Sequence, residues 1–213
     1  MSSTTDMAKD DEAASVAEPV DGRTARAVRT REAIVDATIA LLAENDLRPS
    51  APRIAERAGV SVRSVFQHFD DLEGLYGDLV RVQAARVQPL VEDLRSEGSL
   101  DERIDALVRQ RAALFEAITP MRHAIGTRAR RSPTLTRRVR ELSEVLHRQV
   151  CTQFEPELAG QEDDHLALTL DTLSSFEAWD RLRDHHGLGV DEAAAALRSA
   201  LRSVLAPDRG RVG

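Results

Sequence analysis

The 213-residue sequence predicts an all-α chain, an N-terminal helix-turn-helix unit followed by a larger helical body, about nine helices in total. Three observations predict it. Aromatic residues make up only 3% of the chain, and the longer apolar runs recur at helical rather than strand spacing. Helix start and stop signals punctuate those runs: Ser99 with Glu102 three residues on, Pro120, Ser132-Pro133, and the Gly187 to Gly189 break. The stretch 50–69 reads as two short helices around a tight turn at Ala58-Gly59-Val60, the motif that lays its second helix in the DNA major groove.

Residues 1–22 carry six acids (Asp6, Asp10, Asp11, Glu12, Glu18, Asp21) against Lys9, with almost no bulky apolar side chain. Such a segment buries too little to offset the entropy of ordering, so a disordered acidic tail is expected. Arg23, Arg26 and Arg29 then form a basic lead-in, expected to be flexible. A first helix is expected over 30–44, with Ile34, Thr38 and Leu41 on one line and Val35, Ile39 and Leu42 on the next. Ser50 is a good N-cap for the following helix, and Pro52 is tolerated in its first turn. Ile54, Ala55 and Ala58 face inward, Gly59 supplies the turn, Val60 plugs the space between helices and Ser61 caps the next helix. Val65 and Phe69, at i and i+4, face the core and leave Val62, Arg63, Ser64, Gln67 and His68 toward solvent or DNA.

Asp70 or Asp71 caps a long helix running to about residue 97, kinked at Pro89. The capping box at Ser99 opens a helix over 100–119 that Pro120 ends, and a short helix is expected over 121–130. Ser132-Pro133 opens a helix toward Phe154, residues 155–161 form a loop, and two further helices are expected over 162–186 and 191–205. The domain organisation expected is a tail over 1–22, a DNA-binding unit over 23–71, an effector-binding and dimerisation body over 72–206, and a flexible terminus over 207–213.

The net charge of −7 hides an uneven distribution. Residues 23–63 hold eight arginines against five acids, and 120–140 hold seven arginines and no acid. The second run reads either as an anion-binding edge of a ligand site or as a surface network with Asp70, Asp71, Glu73 and Asp78. No window offers the roughly 18 apolar residues of a membrane span, and no secretory leader pattern is visible at the N-terminus. A lone Cys151 excludes an intramolecular disulfide framework and fits a reducing compartment, so a cytoplasmic protein is expected. Asp184-His185-His186 beside Asp180 sits at a helix C-terminus, where histidine is favoured electrostatically; no metal and no cofactor is expected. No Gly-rich phosphate loop, Ser/His/Asp arrangement or paired-carboxylate cleft is present, so the reading is not an enzyme.

Three segments, TREAIVDATIALLAEN (30–45), IAERAGVS (54–61) and SVFQHFDDLEGL (64–75), resemble the TetR-type (TetR/AcrR) transcriptional regulator family in order and spacing. The resemblance covers about residues 26–80. It implies a subunit of nine to ten helices whose first three bind DNA, whose fourth is the link, whose fourth to seventh enclose an effector pocket, and whose last two form a homodimer interface. Carried over by position, Val62, Arg63, Ser64, Gln67 and His68 would read DNA and Ser50 would reach a phosphate; Ser61 and Phe66 complete the set. Two positions depart from the family: Phe66 stands where a phosphate-binding Tyr is usual, and Leu72 where a phosphate-binding Lys is usual. Phosphate neutralisation is therefore expected from Arg53, Arg63 and the lead-in Arg23, Arg26 and Arg29 reaching into the minor groove.

Val82, Val87, Leu90, Leu94, Leu107, Leu114, Phe115 and Ile118, with Met121, Ile125, Leu142, Leu146, Phe176 and Trp179, are the candidate lining of a lipophilic effector cavity; at helical spacing such residues are more often plain core. Leu166, Leu170, Leu173, Leu197, Ala200, Leu201 and Val204 are the candidate dimer face, which a monomer would bury internally. The preferred reading is a homodimeric repressor on a pseudo-palindromic operator in double-stranded DNA, released by a lipophilic or anionic small molecule, with no membrane partner. Two alternatives stay open: an effector-independent or activating DNA binder, and an all-α lipid or small-molecule carrier that no longer reads DNA. Operator, regulated genes, effector and sign of regulation are not encoded in any motif.

Overall fold

The computed structural model describes residues 22–69, 72–91, 94, 97–126, 132–159 and 164–206. The expected acidic tail, the cap at Asp70 or Asp71, the arginines at 128, 130 and 131 and the C-terminal residues from 207 lie outside the described residues, as do the side chains of Arg23, Leu72 and Glu73. Within them the chain is all helix: α1 (Gly22–Ala43), α2 (Ala51–Ala58), α3 (Val62–His68), α4 (Leu72–Val87), α5 (Leu100–Ile125), α6 (Pro133–Gln153), the single turn α7 (Glu155–Leu158), α8 (His165–Leu173), α9 (Phe176–Asp180) and α10 (Val190–Leu205).

Several boundaries differ from the expectation, each for a physical reason. α1 begins at Gly22 rather than near residue 30, because an Ala/Arg-rich lead-in elongates a helix whose nucleus is already set by the buried Ile34, Val35, Leu41 and Leu42. α4 stops at Val87 instead of kinking: Pro89 falls in a 3₁₀ turn (Gln88–Leu90), where its missing N–H and ring end the helix. α5 does the opposite and runs through Pro120. An internal proline costs about 3 kcal/mol, but Met121, Ala124 and Ile125 beyond it are buried, and each large apolar side chain buried contributes about 1.5–3 kcal/mol. Gln83 of α4 donates to the Ala117 carbonyl at 2.9 Å, supplying a donor in the turn the proline weakens. Residues 155–158, expected as loop, form one helical turn. The helix expected over 162–186 breaks at Ser174-Ser175, where Ser175 caps α9 by accepting from the Ala178 N–H; a π-helical turn (Arg181–His185) follows.

Two apolar cores organise these elements. The first joins α1, α2, α3 and the N-terminal half of α4 through Ile34, Leu42, Ile54, Val65, Phe69, Leu75 and Leu79, and it continues into Met121, Ile125 and Leu135 at the facing ends of α5 and α6. The second fills the body with Leu107, Leu114, Phe115, Val150, Phe154, Leu170, Trp179, Leu197 and Leu201. α4 contributes to both cores, Leu75 and Leu79 to the first and Val87 to the second.

Two arginines of α5 are buried in the body. Arg103 grips Glu157 of α7 with both terminal nitrogens, at 2.6 and 2.5 Å, and donates to the Gln153 carbonyl, while Gln153 Nε2 returns a bond to the Arg103 carbonyl at 2.9 Å. Arg111 donates to Gln110, Gln149 and the Leu146 carbonyl, all neutral acceptors. Burial pushes its guanidinium down to about 10, with Asp171 acting the other way, so it stays protonated at neutral pH.

The Arg103 fork holds the Glu157 carboxyl below its ordinary value of 4.5. A carboxyl depressed by folding stabilises above its unfolded pKa and loses that contribution as pH falls through the folded one. Glu157→Gln is therefore expected to cost about 2–3 kcal/mol at pH 7, in line with one partner lost from a part-buried pair. The gap between wild type and variant should close below pH 4.5. Urea unfolding of both proteins at a series of pH values measures it.

Candidate nucleic-acid interface

The turn between α2 and α3 is built from backbone hydrogen bonds. Gly59 adopts the left-handed conformation (φ +67°), the Val60 N–H reaches the Ala55 carbonyl at 3.0 Å and the Gly59 N–H reaches the Glu56 carbonyl at 3.2 Å. Ser61 starts α3 by accepting from the Ser64 N–H at 3.1 Å, and the two serine hydroxyls meet at 2.9 Å. Ile54, Ala55, Val65 and Phe69 are buried beneath, with Val60 packed against them. α2 is further pinned by the two-pronged pair of Arg57 with Glu44, at 2.6 and 2.5 Å, which holds the Glu44 carboxyl below the usual carboxylate range.

One side chain fastens this unit to the rest of the chain. Arg31 of α1 donates from Nη1 to the His68 carbonyl at 2.5 Å and from Nε to the Asp78 carboxylate of α4 at 2.6 Å, and its guanidinium lies 4.3 Å from the Phe69 ring centroid. Arg86 of α4 adds a second link to Asp36 of α1 at 2.5 Å. The reader helix α3 and the link helix α4 therefore share a single cationic anchor.

On the outer surface, Val62, Arg63, Phe66 and Gln67 are exposed, and Ser64 and His68 are half-buried beside a shallow groove that they line with Arg26, Thr30 and Ser61. Among the described residues Arg26, Arg29 and Arg63 have no carboxylate partner and present unneutralised positive charge on this face. Arg53 lies 2.9 Å from Asp46 but is exposed, and such a pair contributes only about 0–1 kcal/mol. Ser50 at the α2 N-cap makes no side-chain cap bond, leaving its hydroxyl open. Arg26 and Arg29 of the lead-in, expected to be flexible, lie in the first turns of α1 beside the turn between α2 and α3.

The other sequence-derived sets divide. Leu107, Leu114 and Trp179 are closed inside the second core, and Leu90 and Leu94 pack, partly buried, against it. Ile118, Met121, Ile125 and Leu142 do line a groove of about 390 Å³ between α4, α5 and α6; Phe115, Leu146 and Phe176 line a smaller one of about 230 Å³ beside it. Val87 lines the first groove as well, and Val80, Gln83, Ala84, Val139 and Val145, not among the sequence candidates, share it. On α4 the available signal was the i to i+4 pairing of Val80 with Ala84 and of Gln83 with Val87.

Of the candidate dimer residues, Leu170, Leu197 and Leu201 belong to the chain's own core, because α10 packs on α5 and on α8, and α8 packs on α6. Leu166, Leu173, Ala200 and Val204 are half-buried, and Leu168, outside the candidate set, is half exposed. Of the arginines of 120–140, Arg122 pairs with Glu177 at 2.5 Å over the Phe176 ring, and Arg137 and Arg138 pair with Glu141; Asp70, Asp71 and the Glu73 side chain lie outside the described residues. Asp78 is taken by Arg31 and Arg81 instead. Burial, with Asp171 and Asp164, pushes the Cys151 thiol up, the opposite of an activated thiolate. No group of three metal-ligating side chains converges among the described residues, and none of the described helices is long and apolar enough to cross a membrane.

Residues 34–79, which hold this turn, its reader helix and the Arg31-Asp78 tie at its edge, match the model of the bacterial regulatory proteins of the tetR family. The N-terminal unit is a DNA-binding domain of the tetR type. No curated protein sequence matches it. Its fold is shared with a tetR-family transcriptional regulator from Streptomyces coelicolor (TM-score 0.65, 16% identity, 83% of this chain and 80% of that one). A transcriptional regulator from a Rhodococcus species (TM-score 0.60, 19% identity, 82% and 95%) and Salmonella enterica GusR (TM-score 0.56, 21% identity, 89% and 98%) share it too.

Two outcomes follow for this TetR-type reader. Replacing Arg26 and Arg29 together by Gln should make the plot of log affinity against log salt shallower by about 2 per bound subunit, since each phosphate neutralised on duplex DNA contributes about 0.9. Arg31→Met should weaken duplex binding about tenfold or more while moving the thermal midpoint by only a few degrees, and Arg31→Lys, lacking the planar fork, should recover little of it. Fluorescence anisotropy and circular-dichroism melts on the same samples read both.

Proposed function

We propose that this regulator is a homodimeric repressor that leaves its operator when a mainly apolar small molecule enters the groove between α4, α5 and α6. The observation that supports this most is the position of the groove. Its α4 wall is Val80, Gln83, Ala84 and Val87, and the same helix, one turn back, carries Asp78, the partner of the arginine that holds the reader helix. A ligand wedged against Val80 and Ala84 shifts α4, α4 carries Asp78 with it, and Arg31 transmits the shift to His68 and Phe69. Two readers displaced in this way no longer fit successive turns of a pseudo-palindrome, and affinity falls by the ligand's differential binding to the two states.

Val87, Ile118, Met121, Leu142 and Val145 make most of the lining apolar, and Arg138 at the rim is held only by an exposed pair with Glu141. The ligand class that fits is an apolar body with one anionic end. The half-buried Leu166, Leu173, Ala200 and Val204 with the exposed Leu168 are the surface proposed for the second subunit.

The test is a release screen against a duplex selected from a random library. Medium-length apolar carboxylates are expected to lower the anisotropy of the bound duplex, and Ala84→Trp, which fills the groove, should abolish release while leaving duplex affinity within about threefold. Sedimentation should show two chains per duplex. A bound monomer, or release that Ala84→Trp does not alter, would sink the proposal.

A further inference from the structure

The reader helix presents three distinct rows. Arg63 and Gln67 form the outermost, exposed and polar; Ser64 and His68 form a second, turned toward Arg26 and Thr30 across the shallow groove. The third is Val62 and Phe66, one turn apart, 38% and 59% exposed, on the opposite flank. A lone exposed apolar residue is ordinary on a protein surface. Here two stand in register on a seven-residue helix whose other outward positions are all polar, with unneutralised arginines around them.

The chemistry of this row is informative. Neither side chain has a donor for a phosphate oxygen, so seating phosphate against them would strip water from a charged group and return nothing. The base edges of the major groove offer hydrogen-bond donors, acceptors and one apolar group, the thymine 5-methyl. We infer that Val62 and Phe66 read thymine 5-methyl groups, so that each operator half-site places one or two thymines beside the base pair contacted by Arg63 and Gln67. On this reading the ring at 66 takes part in sequence recognition, not backbone anchoring, and the flank carrying Ser64, His68 and Arg26 holds the phosphates. The inference rests on α3 being the DNA reader.

The experiment uses the full chain. A duplex is selected from a random library, then resynthesised with deoxyuridine in place of each half-site thymine in turn, which removes the methyl and nothing else. Affinities are measured for wild type, Phe66→Ala and Val62→Ala; both positions are on the surface, and melts confirm that the variants fold. The expected result is a loss of about fourfold at one or two thymines for wild type, the affinity equivalent of one buried methylene. That loss should vanish for Phe66→Ala at one thymine, and for Val62→Ala at the other where two respond. Thymines whose replacement changes nothing in wild type, or weakens wild type and variants equally, would overturn the inference while the selected duplex still upholds α3 as reader. Failure to enrich any duplex would overturn both.

Discussion

The contact on which the rest of the molecule depends is the guanidinium of Arg31. A helix of seven residues cannot hold its own orientation, and α3 is secured on its inner side by Val65 and Phe69 in the first core. Its C-terminal end leaves carbonyls without intrahelical partners. Arg31 satisfies the carbonyl of His68, places positive charge at the negative end of the helix and stacks on Phe69. The same group is neutralised by Asp78, whose side chain is mostly covered. Three elements meet at one rigid planar cation, so α4 and the reader cannot shift independently without leaving that cation short of a partner.

Packing carries the same constraint into the body. The first core ends not at α3 but at the C-terminal turns of α5 and the start of α6, where Met121, Ile125 and Leu135 close over Leu75 and Leu79. Those turns exist because burial outweighs the cost of Pro120, and Gln83 on α4 braces that part of α5. The ligand-sized groove is bounded by these same helices. At the far end the body is held by long side chains in place of shape alone: Arg103 on Glu157, Arg183 on Glu116 with Trp179, and Arg111 among neutral acceptors.

Electrostatics explains how a chain of net charge −7 presents a DNA-facing surface. Most arginines of the body are matched to acids, as in the pairs Arg198-Asp105 and Arg202-Asp101. Arg26, Arg29 and Arg63 on the N-terminal face are not. Without a hydroxyl at position 66 or an ammonium at 72, the positive charge that remains there sits on α1 and at the start of α3. It is carried by a helix that the first core makes rigid.

What the sequence by itself determined is whatever depends on neighbours within about one helical turn. The capping serines at 61, 99 and 132, the left-handed Gly59, the apolar rows of α1 and the outward set on α3 were all legible, because each is an i to i+4 relation. Their order and spacing also carried the family. The tertiary structure alone decided the rest. That α5 passes through Pro120, that α1 starts eight residues early, and that Leu170, Leu197 and Leu201 turn inward were settled by burial against helices far away in sequence. Nothing local distinguishes Arg31 from its neighbour arginines: its partner Asp78 lies 47 positions on, and only the packing of α1 against α4 brings the two within 2.6 Å. Charge pairing at that separation has no periodic signature, whereas capping and amphipathic rows do.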